Sequence, residues 1–258
     1  MKPVEMWGRA EDGTTVRIVL EGVDGSPDAS SDVVGGEWWP PMGLEKVDDP
    51  AEGGAPAHEV RVDVSQPDGW DRLESDLGLF TAERLHDVVA VHSAVLVRDG
   101  IMVLVPGESM TGKTTLCAAA LEAGIEVWSD EYALVNRATG EVRGWPRRLR
   151  VRTQGGGANR VEIGAEGEHA DAMVPTMVAS VRFSGDHLMR GDALEVTPAA
   201  EGDVVFALLA NTVCAQSAPE RAFEAALAVA SRARGVQGER GDAAEALEVL
   251  FDIASQKG

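Results

Sequence analysis

Basic residues are in short supply in this chain: 23 Lys and Arg stand against 43 Asp and Glu, a net charge of −20 and a pI near 4.6. A surface of that sign repels nucleic-acid phosphates and anionic membranes, so neither is an expected partner. Cysteine is nearly absent. Cys117 and Cys214 are the two in 258 residues, too few for a disulfide framework or, alone, for a four-ligand zinc site. Both lie in apolar, helix-like surroundings, the setting of buried thiols in a reducing compartment. Long apolar runs are missing too. The longest, Val204 to Ala210 with its continuation to Ala215, is broken by Asn211 and is too short to span a bilayer. The first residues, Met1 to Trp7, lack the apolar core of a signal peptide. A cytoplasmic location is therefore expected. No repeat of fixed period occurs.

What is present is an ordinary globular composition, 44% hydrophobic, with room for one large domain or a core plus an accessory part. Within it, Gly107-Glu108-Ser109-Met110-Thr111-Gly112-Lys113-Thr114 fits the phosphate-binding pattern G-x-x-x-x-G-K-[ST] at every fixed position. Its flanks agree. Ile101 to Val105 reads as a buried strand ended by Pro106-Gly107, and Thr115 to Ala123 as a helix stopped by Gly124. Glycines let successive backbone N–H groups turn toward phosphates, and the helix adds the positive end of its dipole. Residues 107 to 115 are thus expected to hold a nucleoside triphosphate, ATP in the working reading. Lys113 would reach the β- and γ-phosphates, Ser109 would add a hydroxyl donor inside the loop, Thr114 would ligate Mg²⁺, and Thr115 closes the binding stretch.

Elsewhere, Thr14 to Leu20 and His58 to Val64 alternate as half-buried strands do. Residues 22 to 57 read as a long loop carrying Trp38-Trp39-Pro40-Pro41. Residues 71 to 87 have helical spacing, Val88 to Val97 reads as a strand, and Asp99-Gly100 suits a tight hairpin. Tyr132 to Val135, Glu141 to Trp145 and Met177 to Phe183 read as strands, and Gln154 to Gly167 as a glycine-rich loop. Pro146 to Arg152 is the one dense basic run. Residues 201 to 214, 219 to 233 and 241 to 255 have helical spacing, with Gly235 and Gly238 read as breaks.

Two further elements carry chemistry. Asp130 and Glu131 fall 17 and 18 residues after Lys113, one residue beyond the stretch Ile125 to Trp128. A helix of about ten residues and a short strand bring the chain back beside the loop. One carboxylate would then hold Mg²⁺ while the other accepts a proton from an acceptor hydroxyl. His92 lies on the strand before the loop-bearing one, where it can orient a phosphate or assist proton transfer, or simply serve the structure.

Histidine, loop and acidic pair in this order and spacing resemble the HPr kinase/phosphorylase superfamily, which is structurally similar to phosphoenolpyruvate carboxykinase. The likeness runs well over residues 85 to 155 and weakly through the C-terminal helices, where Arg232 to Phe251 looks like the closing segment of small relatives. It implies that His92 and Lys113 are active-site residues, that Thr114 binds Mg²⁺ and that Glu131 is the proton acceptor. It also hints at a homo-oligomer. Departures accompany it. The family pair is usually Asp-Asp, and here the second member is Glu131. The glutamate-arginine-glycine segment of the HPr kinases has no counterpart at Arg152 to Gly157, and the N-terminal part does not match their regulatory domain. HPr is therefore not the expected acceptor.

The expectation is an α/β fold: an HPr kinase-like P-loop core over residues 71 to 258, its mixed β-sheet flanked by helices, preceded by a β-rich accessory region over residues 1 to 70. The expected activity is ATP- and Mg²⁺-dependent phosphoryl transfer to a hydroxyl of a peptide serine or a small molecule. Lys113 would neutralise transferred charge, Thr114 and Asp130 would position the metal, and Glu131 with His92 would activate the acceptor. Arg147, Arg148, Arg150 and Arg152 would clamp phosphates or an acceptor carboxylate, or face solvent. The alternative is a nucleotide-binding regulatory or partner protein with little chemistry of its own.

Overall fold

The computed structural model describes residues 3–23, 44–47, 58–108, 111–145, 148–152, 158–162 and 172–256. They divide into two compact units, Met1–His86 and Asp87–Gly258. The Trp38-Trp39-Pro40-Pro41 segment lies outside the described residues.

In the first unit β1 (Val4–Ala10) and β2 (Thr15–Glu21) pair antiparallel from Val4↔Leu20 to Arg9↔Thr15. β3 (Leu44–Lys46) adds to β1, and β4 (His58–Asp63) adds parallel to β2, for a sheet order of β3-β1-β2-β4. Period-two alternation turns Met6, Val16, Ile18, Val60 and Val62 to one side. Helix α1 (Gly69–Ala82) covers them with Leu73, Leu77 and Phe80. That packing sets the unit's end at His86 instead of near residue 70, because α1 buries its apolar stripe in the N-terminal core. The N-terminal strands also form a sheet of their own.

The second unit is built on an eight-stranded mixed sheet. β5 (Val88–Arg98) and β6 (Ile101–Pro106) form a hairpin. Asp99 and Gly100 at its tip have φ of 51° and 75°, the left-handed pair that a two-residue turn requires. α2 (Lys113–Glu122) follows β6. β7 (Glu126–Ser129) and β8 (Tyr132–Asn136) then run along the same edge of β5, one beside each half, and β9 (Val142–Gly144) extends the sheet beyond β8. On the other side of β6, β12 (Met177–Phe183) and β14 (Arg234–Arg240) pair parallel, and β13 (Leu194–Ala199) closes that edge antiparallel.

Helices cover both faces. α2 and α6 (Ala243–Ser255) pack on Ala94, Leu96, Val103, Val105, Ala179 and Val181. α4 (Glu201–Ala210) and α5 (Pro219–Ala230) pack on Val89, Val91, Met102, Leu104, Val135 and Val178. Short helix α3 (Gly185–Arg190) follows β12. Among the described residues no helix is long and apolar enough to cross a membrane.

Two expectations are corrected. Gln154 to Gly167 is not all loop, since β11 (Ala158–Glu162) pairs with β10 (Arg148–Arg152) inside it. Gly235 and Gly238 do not break the chain but lie within β14, where the backbone of β13 comes too close for any side chain. A Cβ on Gly238 would run into the Glu195 carbonyl oxygen.

Gly238→Ala is therefore expected to lower unfolding stability by about 1–3 kcal/mol, seen as a lower denaturant midpoint. Gly202→Ala, in open space on α4, should be neutral or stabilising by up to about 1 kcal/mol. Equal effects of the two substitutions would contradict the β13–β14 pairing.

Candidate nucleotide-binding site

The site starts at the end of β6. The Gly107 N–H donates to the His92 carbonyl oxygen at 3.1 Å, the last bond tying the hairpin before the loop departs. Gly112, at φ 89°, makes the left-handed turn that starts α2, and its carbonyl accepts from the Leu116 N–H at 3.0 Å. Within the loop Thr111 Oγ1 donates to the Glu108 carbonyl at 2.9 Å. Thr114 is half-buried and Thr115 exposed, while Ser109 and Met110 lie outside the described residues.

Lys113 is buried, and its Nζ donates to the carbonyls of Gly107 at 2.6 Å and Glu108 at 2.8 Å. The side chain thus folds back over the loop it belongs to. Burial pulls its pKa below the usual lysine value, and the charges of Glu131 and Asp130 oppose that shift. The two carboxylates therefore act electrostatically on the loop lysine, as their spacing in the sequence predicts.

The acidic pair occupies the break between β7 and β8. Ser129 is buried, and its Oγ accepts from the N–H groups of both Glu131 and Tyr132 at 3.1 Å. This bracing holds the bend that carries Asp130, buried, and Glu131, half-buried. Across the strand gap the Ser93 N–H donates to the Glu131 carbonyl at 3.1 Å. His92, the fifth residue of β5, falls on the same face as Ala94 and Leu96, the α2 face. Its Nε2 lies 3.7 Å from Glu131 Oε1, and its ring lies 5.8 Å from that of Tyr132. His92, Lys113, Asp130 and Glu131 are thus assembled at one end of the sheet.

Cys117 sits one turn into α2, fully buried, with its Sγ 4.0 Å from the Ser129 carbonyl oxygen. Burial, with the Asp130 charge, holds its thiol well above the ordinary range, so it is a packing residue. Arg148, Arg150 and Arg152 lie on β10, and Arg147 lies outside the described residues.

One residue of the site had no sequence signal. Arg240, at the carboxyl end of β14, is 2% exposed and donates from Nη2 to the Gly112 carbonyl at 2.8 Å. It reaches the loop from 128 positions away, and only the pairing of β14 with β12 brings it there. A Cβ on Gly112 would displace this guanidinium, and the left-handed φ itself favours glycine there.

The residues fit a polyphosphate. Two buried cations, Lys113 and Arg240, adjoin a glycine turn at a helix N-terminus, the arrangement that binds anions. With that geometry established, no protein-family model matches the chain and no curated protein matches it.

Neither Cys117 nor Cys214, whose thiol burial also raises, should react with iodoacetamide at pH 8 in the folded protein. Both should react in denaturant. Rapid labelling of Cys117 in the folded state would contradict its burial between α2 and the sheet.

Proposed function

We propose that this chain is an HPr kinase-like phosphotransferase that moves the γ-phosphoryl group of ATP to a hydroxyl. The observation that carries this reading is the gathering of His92, Asp130 and Glu131 beside a buried loop lysine. A loop that only held phosphates would need the cation and the backbone donors. It would use one carboxylate for Mg²⁺ but would have no use for a second one with an imidazole next to it.

In this reading the backbone of residues 107 to 115 and Lys113 bind the triphosphate. Lys113 exchanges its two loop carbonyls for phosphate oxygens and neutralises charge that develops during transfer. Glu131 accepts the proton of the acceptor hydroxyl. The hydroxyl oxygen bonds to the γ-phosphorus, the bond from that phosphorus to the β–γ bridging oxygen breaks, and ADP leaves. His92, at 3.7 Å, orients the Glu131 carboxylate. Mg²⁺, when bound, would screen the phosphate charge. Thr114 and Asp130 are the side chains to hold it, and one or two protein ligands plus phosphates suit that ion. The acceptor is a peptide serine or a small-molecule hydroxyl.

Lys113→Ala should reduce ATP turnover at least about 100-fold. Glu131→Gln should keep ATP affinity and lose transfer by about 100-fold or more. Undiminished turnover in the first variant would overturn the phosphate role, and normal turnover in the second would remove Glu131 as the base. ATP binding by the wild type without hydrolysis or transfer to any hydroxyl would favour a nucleotide-binding regulator instead.

A further inference from the structure

The sheet order gives the site two different sides. β5 and β8 flank β6 on one side and bring His92, Asp130 and Glu131 to the loop. On the other side β12 and β14 run parallel to β6, so their carboxyl ends finish beside the same loop. Crevices at the carboxyl ends of parallel strands are where such sheets bind ligands. A triphosphate whose γ end faces the carboxylates extends its nucleoside toward β12 and β14.

Phe183 and Arg240 occupy that end. Met177, Ala179 and Val181 point into the core shared with Leu116 and Cys117, so alternation puts Phe183, the last residue of β12, on the α2 side. Its N–H donates to the Thr111 carbonyl at 3.4 Å, which ties β12 to the loop. The residue is 47% exposed, so its ring is open to solvent although its backbone is tied to the loop. The Arg240 guanidinium carbon lies 5.6 Å from the ring centroid, within cation–π range. Arg240 is otherwise satisfied by the carbonyls of Gly112 and Gly241, and Asp242 is the carboxylate whose charge it feels.

We propose that Phe183 is the platform on which the nucleobase stacks, with Arg240 supporting the ring and fixing the Gly112 turn. This rests on the nucleotide-binding reading above and adds its missing half, the part of the site that reads a nucleoside. A π-face accepts any base, so the platform provides affinity, and selection among bases falls to other contacts.

The test is calorimetric titration of the full chain with ATP and with inorganic tripolyphosphate, each with Mg²⁺. Phe183→Ala should weaken ATP about tenfold or more and leave tripolyphosphate unchanged. Phe183→Trp should keep ATP affinity. ATP affinity unchanged in Phe183→Ala would overturn the platform, as would equal losses for both ligands, which would mark a loop-packing role. Wild-type protein that binds tripolyphosphate as tightly as ATP would also overturn it. Wild-type protein that binds neither ligand would overturn the phosphate-loop reading, and the platform with it.

Discussion

The last bond of the β5–β6 ladder, from the Gly107 N–H to the His92 carbonyl oxygen, sets where the loop starts at the candidate site. It fixes where the chain leaves the sheet and therefore where the loop, Lys113 and α2 begin. The same stretch of β5 receives the chain again after α2, through the Ser93 N–H and the Glu131 carbonyl. Two segments more than twenty residues apart in the sequence are thus referenced to the adjacent residues His92 and Ser93. A shift of one residue in the hairpin would turn His92 to the opposite face and separate it from Glu131, because side chains alternate. The left-handed pair at Asp99 and Gly100 guards against that slip.

Charge is the second organising feature. The chain carries a net −20, yet two of its cations, Lys113 and Arg240, are buried at one loop. Removing a cation from water is costly unless partners replace the hydration. Here backbone carbonyls of Gly107, Glu108, Gly112 and Gly241 do so. Carbonyl dipoles satisfy hydrogen bonds but do not neutralise a full charge, and the carboxylates of Glu131 and Asp130 beside Lys113 and of Asp242 beside Arg240 supply the opposing charge. The acidity of the chain as a whole discourages anionic macromolecules.

The core of the second unit was legible because several local signals coincide there. The apolar run at Ile101–Val105, the glycine pattern and the helical stretch from Thr115 each support the others, and Asp99-Gly100 marks the hairpin without help from tertiary structure. The acidic pair could be placed because a short helix and strand leave the chain few ways to return. What could not be read depends on contacts distant in sequence. α1 shows helical spacing, but nothing local says which core its stripe will join. β14 carries two glycines that look like breakers, and they make sense only beside β13. Arg240 lies in no motif, and it joins the site solely through parallel pairing of β14 with β12. Phe183 ends a strand that was legible, but its exposure beside the loop is a property of the folded chain.

The most direct test of the central claim is calorimetric titration of ATP into the wild-type protein with and without Mg²⁺. The account predicts saturable binding at one site per chain, tighter when Mg²⁺ is present, because the phosphates and the Thr114 and Asp130 side chains would hold the ion together. Absence of binding under both conditions would contradict it.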